Sequence, residues 1–147
     1  MEKQSNAECQ DVHGSIPLHV AATFGNRKVV EILIGTNLIC KTTVIISFTC
    51  TGKMKRINIT DYQGQNVLHR ASKDGKHDII QVIKDSTDVE TFGLLLEQRD
   101  WNGNTPFLLA AQSGSRKTVI LLQLIENDLV NSINSQTHDS ALHFACR

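Results

Sequence analysis

The chain has 147 residues, with 15 basic and 15 acidic side chains and no formal net charge. Hydrophobic residues make up 40% of it and charged residues 20%, enough to bury one elongated core in a single domain and too evenly balanced to set up the positive field that draws in nucleic acid. No apolar run reaches the roughly 20 residues of a transmembrane helix, and the start of the chain is polar rather than signal-like.

Residues 1–10 read as a flexible lead. A first unit over residues 11–35 follows, built on Gly14-Ser-Ile-Pro-Leu-His-Val-Ala-Ala22. Asp11, three residues ahead of Gly14, suits a type I turn in which the carboxylate bonds the local backbone. Pro17 then opens a helix with Leu18, Ala21 and Ala22 on one face, and Gly25 closes it as a C′ residue. Ile16 is a poor N-cap, so this helix is expected to fray. A second helix carries Val29, Val30 and Leu33.

An insert over about residues 36–57 departs from that pattern. Thr42-Thr-Val-Ile-Ile-Ser-Phe-Thr-Cys50 is β-branched and uncharged, and a basic run, Lys53-Met-Lys-Arg56, follows it. Three readings stay open for the centre: a β-hairpin or strand-like loop projecting from the array, a disordered loop, or sequence that does not belong in the mature protein. Lys53, Lys55 and Arg56 can touch a phosphate or an anionic head group, or can simply be solvated.

The second unit, 61–84, repeats the first: Asp61, then Gly64-Gln-Asn-Val-Leu-His-Arg-Ala-Ser72, then Gly75 and the apolar set Ile79, Ile80 and Ile83. A longer connection, Asp85 to Gln98, has room for an extra helical turn over Val89–Leu96. The third unit, 100–127, brings Asp100, Gly103-Asn-Thr-Pro-Phe-Leu-Leu-Ala-Ala111 and Gly114, followed by Val119, Ile120 and Leu122. A fourth copy, 135–147, holds His138-Asp-Ser-Ala-Leu-His-Phe-Ala-Cys146 and stops inside its first helix. Asn66, Thr105 and Ser140 are good N-caps for the last three copies.

These phrases resemble the Thr-Pro-Leu-His-x-Ala signature of ankyrin repeats. Leu18, Leu68, Phe107 and Leu142 are 50, 39 and 35 residues apart, against about 33 for such a unit. The resemblance implies an all-α ankyrin-repeat solenoid over residues 11–147, with about three full helix-turn-helix units, a truncated fourth and a long insert after the first. Each unit then buries its apolar face only against a neighbour. The half-unit at the end leaves a face partly covered, so a fragment, a truncated isoform or a piece of a longer array is expected. The resemblance also gives His19, His69 and His143 a structural role, bonding the backbone of neighbouring turns, with one link missing at Leu108. The third unit, Asn104 to Val119, is similar to units in the cytoplasmic array of ankyrin-type transient receptor potential cation channels, which offers an alternative context for the chain at a membrane.

Chemistry is sparse. Cys9, Cys40, Cys50 and Cys146 form no CxxC pair and read as free thiols in a reducing, cytoplasmic setting. His13 with His19, and His69 with His77, lack Cys or carboxylate partners at ligand spacing. No phosphate loop or activated nucleophile is present, so the expectation is no enzyme, no metal and no cofactor. Binding of a protein partner is what remains. In the resembled family, partners meet the turn tips and the exposed face of the first helices, which here means His13, Tyr62, Gln63, Trp101 and Asn102 at the tips and Arg70, Lys73 and Gln112 on the helices. Tyr62 and Trp101 are the chain's sole Tyr and Trp and share one repeat position. They suit an interface hot spot, or else each ring packs on its neighbouring turn.

Overall fold

The computed structural model describes residues 10–35 and 57–146. The lead, and the insert up to Arg56 with its strand-like centre and basic run, lie outside the described residues. The helices are α1 (Pro17–Phe24), α2 (Arg27–Gly35), α3 (Val67–Lys73), α4 (His77–Ser86), α5 (Val89–Glu97), α6 (Pro106–Gln112), α7 (Arg116–Ile125) and α8 (Ala141–Ala145), with a 3-10 turn at Asn127–Asn131 between the last two. The first helices of the units, α1, α3, α6 and α8, stack in one layer, and α2, α4 and α7 stack in a second.

Each of the first three units begins with a carboxylate clamp. Oδ1 of Asp11 accepts from the His13 and Ser15 N–H groups at 2.8 and 2.9 Å. Asp61 does the same for Gln63 and Gln65, and Asp100 for Asn102 and Asn104. The clamp shapes a turn in which Gly14, Gly64 and Gly103 have φ between 73° and 77°, a left-handed conformation that glycine adopts without a Cβ clash. The fourth turn departs from the expected register. Asn134, not Ser135, supplies the clamp, bonding the N–H groups of Gln136 and Thr137, and the turn is one residue longer. His138 stands at the glycine position with φ 60°.

A shaped turn points its backbone at the unit before it. Tyr62 N–H donates to His13 O, Trp101 N–H to Gln63 O and Ser135 N–H to Gly103 O, at 2.9 to 3.2 Å. The first helices of units one, two and four then start under a histidine. His69 Nδ1 accepts from the Asn66 N–H at 3.2 Å, and its Nε2 lies 3.1 Å from Asn104 O in the next unit. His19 serves Ile16 in the same way at 3.2 Å. Ile16 offers no side-chain cap, as expected, but it is buried in the core and its own N–H is satisfied by His19. Leu108 cannot make such a bond, and Thr105 Oγ1 accepts from its N–H at 3.4 Å instead.

The core is continuous through the stack. Leu18, Leu68 and Phe107 occupy one position in successive units and are all buried, as are Ala22, Ala71 and Ala110 where the first helices approach. Ile79, Ile80, Ile83 and Leu122 fill the space below. The extra helix expected in the second connection is present as α5, capped by Asp88 Oδ2 on Thr91 N–H at 2.8 Å. It buries Phe92, Leu95 and Leu96 and is tied to unit two by Asn66 Nδ2, which donates to Leu95 O at 2.9 Å.

Leu68 is fully buried, whereas Leu124 is 78% exposed. Leu68→Ala is expected to lower unfolding free energy by about 2–5 kcal/mol, and Leu124→Ala to change it by less than about 0.5 kcal/mol, in urea titrations followed by circular dichroism.

Candidate functional site

The turn tips form a ridge whose side chains are seated rather than loose. The Tyr62 ring lies over Gly14 of the preceding unit, so close that a Cβ there would meet its Cδ1 at 2.5 Å. The Trp101 indole lies over Gly64 in the same way, at 2.6 Å. Glycine therefore serves twice at these positions, for the positive φ and for the room the ring needs. Both rings pack on their neighbouring turn, yet Tyr62 stays 57% and Trp101 70% exposed. Val12 holds the same position in the first unit and is 86% exposed, so an apolar ridge runs along three units. At the fourth, Ser135 takes the place of the ring against Gly103, and Gln136 Nε2 donates to Trp101 O at 2.6 Å.

Inside the ridge lies a polar groove of about 600 Å³, open to solvent between the turns and the first helices of units two to four. Gln63 and Asn102 line it from the turn side, Lys73 and Gln112 from the helix side, and Leu109 and Phe144 add apolar surface. The structure thus brings four of the eight expected residues to one groove and places Tyr62, Trp101 and His13 on the adjoining tips. Arg70 is held differently. Its Nε and Nη2 donate to Asp61 Oδ2 at 2.9 and 2.5 Å, and Nη2 lies 3.5 Å from Ser15 Oγ, which makes it a tie between units one and two.

The groove floor was not foreseen. Gln65 Nε2 donates to Asp100 Oδ2 at 3.2 Å, and Asn134 Nδ2 donates to Asn104 Oδ1 at 2.6 Å. These pairs join the residue after each turn glycine to the clamp of the next unit. The signal was present in sequence, since Ser15, Gln65 and Asn104 are polar at one repeat position, but the partner of each lies at least 30 residues away.

Electrostatics follow from burial and bonding. Burial would raise the Asp61 carboxyl, but the Gln65 N–H, the Arg70 guanidinium and the Gln63 N–H outweigh it and hold it below the usual carboxylate range. The exposed Asp11 is lowered by the N–H groups of Ser15 and His13. Burial pushes the His69 and His19 imidazoles down, because desolvation penalises the charged form. A neutral ring protonated at Nε2 accounts for the contacts of His69 with the Asn66 N–H and Asn104 O.

Repeated clamps, histidine caps and two stacked helix layers over these residues leave little room for another fold. A family model described as ankyrin repeats (3 copies) matches residues 1–128. The chain belongs to the ankyrin-repeat family. Comparison with curated proteins gives no match, and the likeness of the third unit to channel arrays rests on that unit alone. The fourth turn and α8 lie beyond the matched span, yet Ser140 N–H donates to His143 Nδ1 at 3.2 Å, the cap seen in the ankyrin units before it. Among the described residues no helix is long and apolar enough to cross a membrane, and no group of three or more His, Cys, Asp or Glu is placed to hold a metal ion.

Two outcomes are expected. Burial holds the folded-state pKa values of His19 and His69 below the ordinary imidazole value of 6.5, so their contribution to stability is complete above that pH. As pH falls through 6.5 the unfolded chain takes up protons first, and stability declines; the lowered Asp61 and Asp11 add a further loss only below about pH 3.8. Thermal melts between pH 8 and 5 check this, and a flat melting temperature contradicts it. Gly64→Ala is expected to displace the indole of Trp101, read directly as a change in the fluorescence of the chain's single tryptophan, and to lower stability by about 1–3 kcal/mol through the strained φ.

Proposed function

We propose that the chain is a non-catalytic interaction module that binds a protein through the Tyr62 and Trp101 ridge and the groove beside it. Ankyrin repeats generally mediate protein–protein contacts. One observation carries the finer reading: two large rings are fixed by packing on Gly14 and Gly64 and still remain more than half exposed. A surface aromatic held in one place loses little side-chain entropy when a partner covers it, the condition for an interface hot spot. Val12 and His13 extend the ridge at the first tip, both exposed.

The groove complements the ridge. Gln63, Asn102 and Gln112 are exposed, and each carboxamide offers a donor and an acceptor. Lys73, also exposed, adds a positive charge at one end. Arg70 supports this surface through Asp61 rather than offering a free guanidinium.

Replacing both Tyr62 and Trp101 by Ala is expected to cost about 2–4 kcal/mol of binding to a partner captured by the wild-type protein, with the helical circular dichroism unchanged. Lys73→Glu with Gln112→Glu is expected to weaken the same partner. Retention of binding in both variants contradicts the assignment of this surface.

A further inference from the structure

The balanced net charge conceals a segregation of charge along the solenoid. At the end of each unit remote from the turn tips, the loop into the second helix carries basic residues: Arg27 and Lys28 stand two and three residues after Gly25, and Arg116 and Lys117 two and three after Gly114, whereas in the second unit Lys76 directly follows Gly75 and His77 and Asp78 hold the equivalent positions. These loops stack. The stem of Lys76 lies over Gly25, its Cδ 3.0 Å from where a Cβ would stand, and Ser115 lies over Gly75. The cations therefore form a row along one edge that spans three units.

The fold neutralises one end of that row, where Asp78 and Asp85 bear on Arg27 besides Glu31, and leaves the other cations without an ion pair among the described residues. Glu31 takes Arg27 at 2.7 Å, and Asp78 lies 3.2 Å from His77. No carboxylate among the described residues pairs with Lys28, Lys76, Arg116 or Lys117. The placement also opposes helix electrostatics. Cations open α2 and α7, which have no acidic residue in the first turn and no basic residue in the last, whereas the macrodipole favours the reverse. In α4 Asp78 and Lys84 follow the favourable order. Acidic residues collect instead beyond the far ends of the second helices, at Asp88 and Glu90 after α4 and at Glu126 and Asp128 after α7.

Beside Lys117 the edge opens into a mostly apolar hollow of about 360 Å³ between α4 and α7, where Ile120, Leu121 and Leu124 face His77, Asp78 and Gln81. Positive charge in a row next to an apolar seat matches one kind of ligand. We propose that this edge binds an acidic polypeptide segment carrying a large apolar side chain, at a surface separate from the turn-tip ridge. The carboxylates of the segment meet Lys28, Lys76 and Lys117, and its apolar side chain enters the hollow at Leu124. A polypeptide is favoured over an anionic bilayer because Asp74 and Asp78 stand among the cations. A planar membrane meets all these charges together, whereas a chain sets its carboxylates on individual lysines and passes the acids by. Two separate surfaces make the proposal independent of the ridge.

Fluorescence anisotropy with labelled hexaglutamate, and with the same peptide carrying a central leucine, tests it. Both peptides are expected to bind at low salt and to weaken as salt rises, with the leucine peptide the tighter. Lys76→Glu with Lys117→Glu is expected to weaken both by about tenfold or more, and Leu124→Ser to abolish the advantage of the leucine peptide. Tyr62→Ala with Trp101→Ala is expected to change neither. Circular dichroism verifies that each surface variant is folded, and Lys28→Gln with Arg116→Gln provides a milder second test of the row. Failure of both peptides to bind, or binding indifferent to the charge reversals, overturns the proposal. So does equal loss in the Tyr62 and Trp101 variant, which moves the peptide to the turn tips. Retention of the protein on phosphatidylserine vesicles through the same lysines, without peptide binding, assigns the edge to a bilayer and equally overturns it.

Discussion

One carboxylate oxygen in each of the first three units, accepting two backbone N–H groups, organises the rest of the molecule. Asp11, Asp61 and Asp100 each hold the turn that follows them in a shape that brings a glycine to positive φ and aims a backbone N–H at the preceding unit. From that shape come the stacking of tip upon tip, the seat for an aromatic ring and the angle at which the first helix departs. Because the clamp is ionic and its two bonds are short, it tolerates exposure at Asp11 and burial at Asp61 alike; the N–H donors and Arg70 offset the desolvation that burial imposes.

The joints between units use different chemistry at equivalent places. Units one and two meet through Arg70, Asp61 and Ser15, units two and three through Gln65 and Asp100 with His69 on Asn104 O, and units three and four through Asn134 on Asn104 and Asn102 O. Where Leu108 replaces the histidine, Arg99 crosses the joint and donates to Gly103 O and Ile133 O at 3.0 and 2.6 Å. A repeat protein can exchange one polar link for another because each joint needs only its buried groups satisfied, with no fixed identity for the donor.

The same stacking leaves two edges with opposite characters. The turn-tip edge is apolar and aromatic, with rings held on glycines, while the opposite edge is cationic, with an apolar hollow beside Lys117. Both arise from side chains on equivalent turns and loops multiplied along the stack. A small module thereby gains extended surfaces without building an enclosed pocket.

Residue order alone determined the repeat, its turns and most of its helices. Asp and Gly at fixed offsets, Pro17 and Pro106 at helix starts and the alanine faces are local signals, and each element they specify closes within a dozen residues. The long second connection left room for an extra helical turn over Val89–Leu96, and the structure makes it a helix over Val89–Glu97. Tertiary structure decided what crosses between units. That Ile16 is capped by His19, that Arg70 is committed to Asp61, that Tyr62 and Trp101 are both seated and exposed, and that Asn134 rather than Ser135 clamps the last turn all depend on which residues meet after stacking. Sequence spacing fixes only neighbours along the chain, whereas burial and pairing are set by the unit that packs alongside.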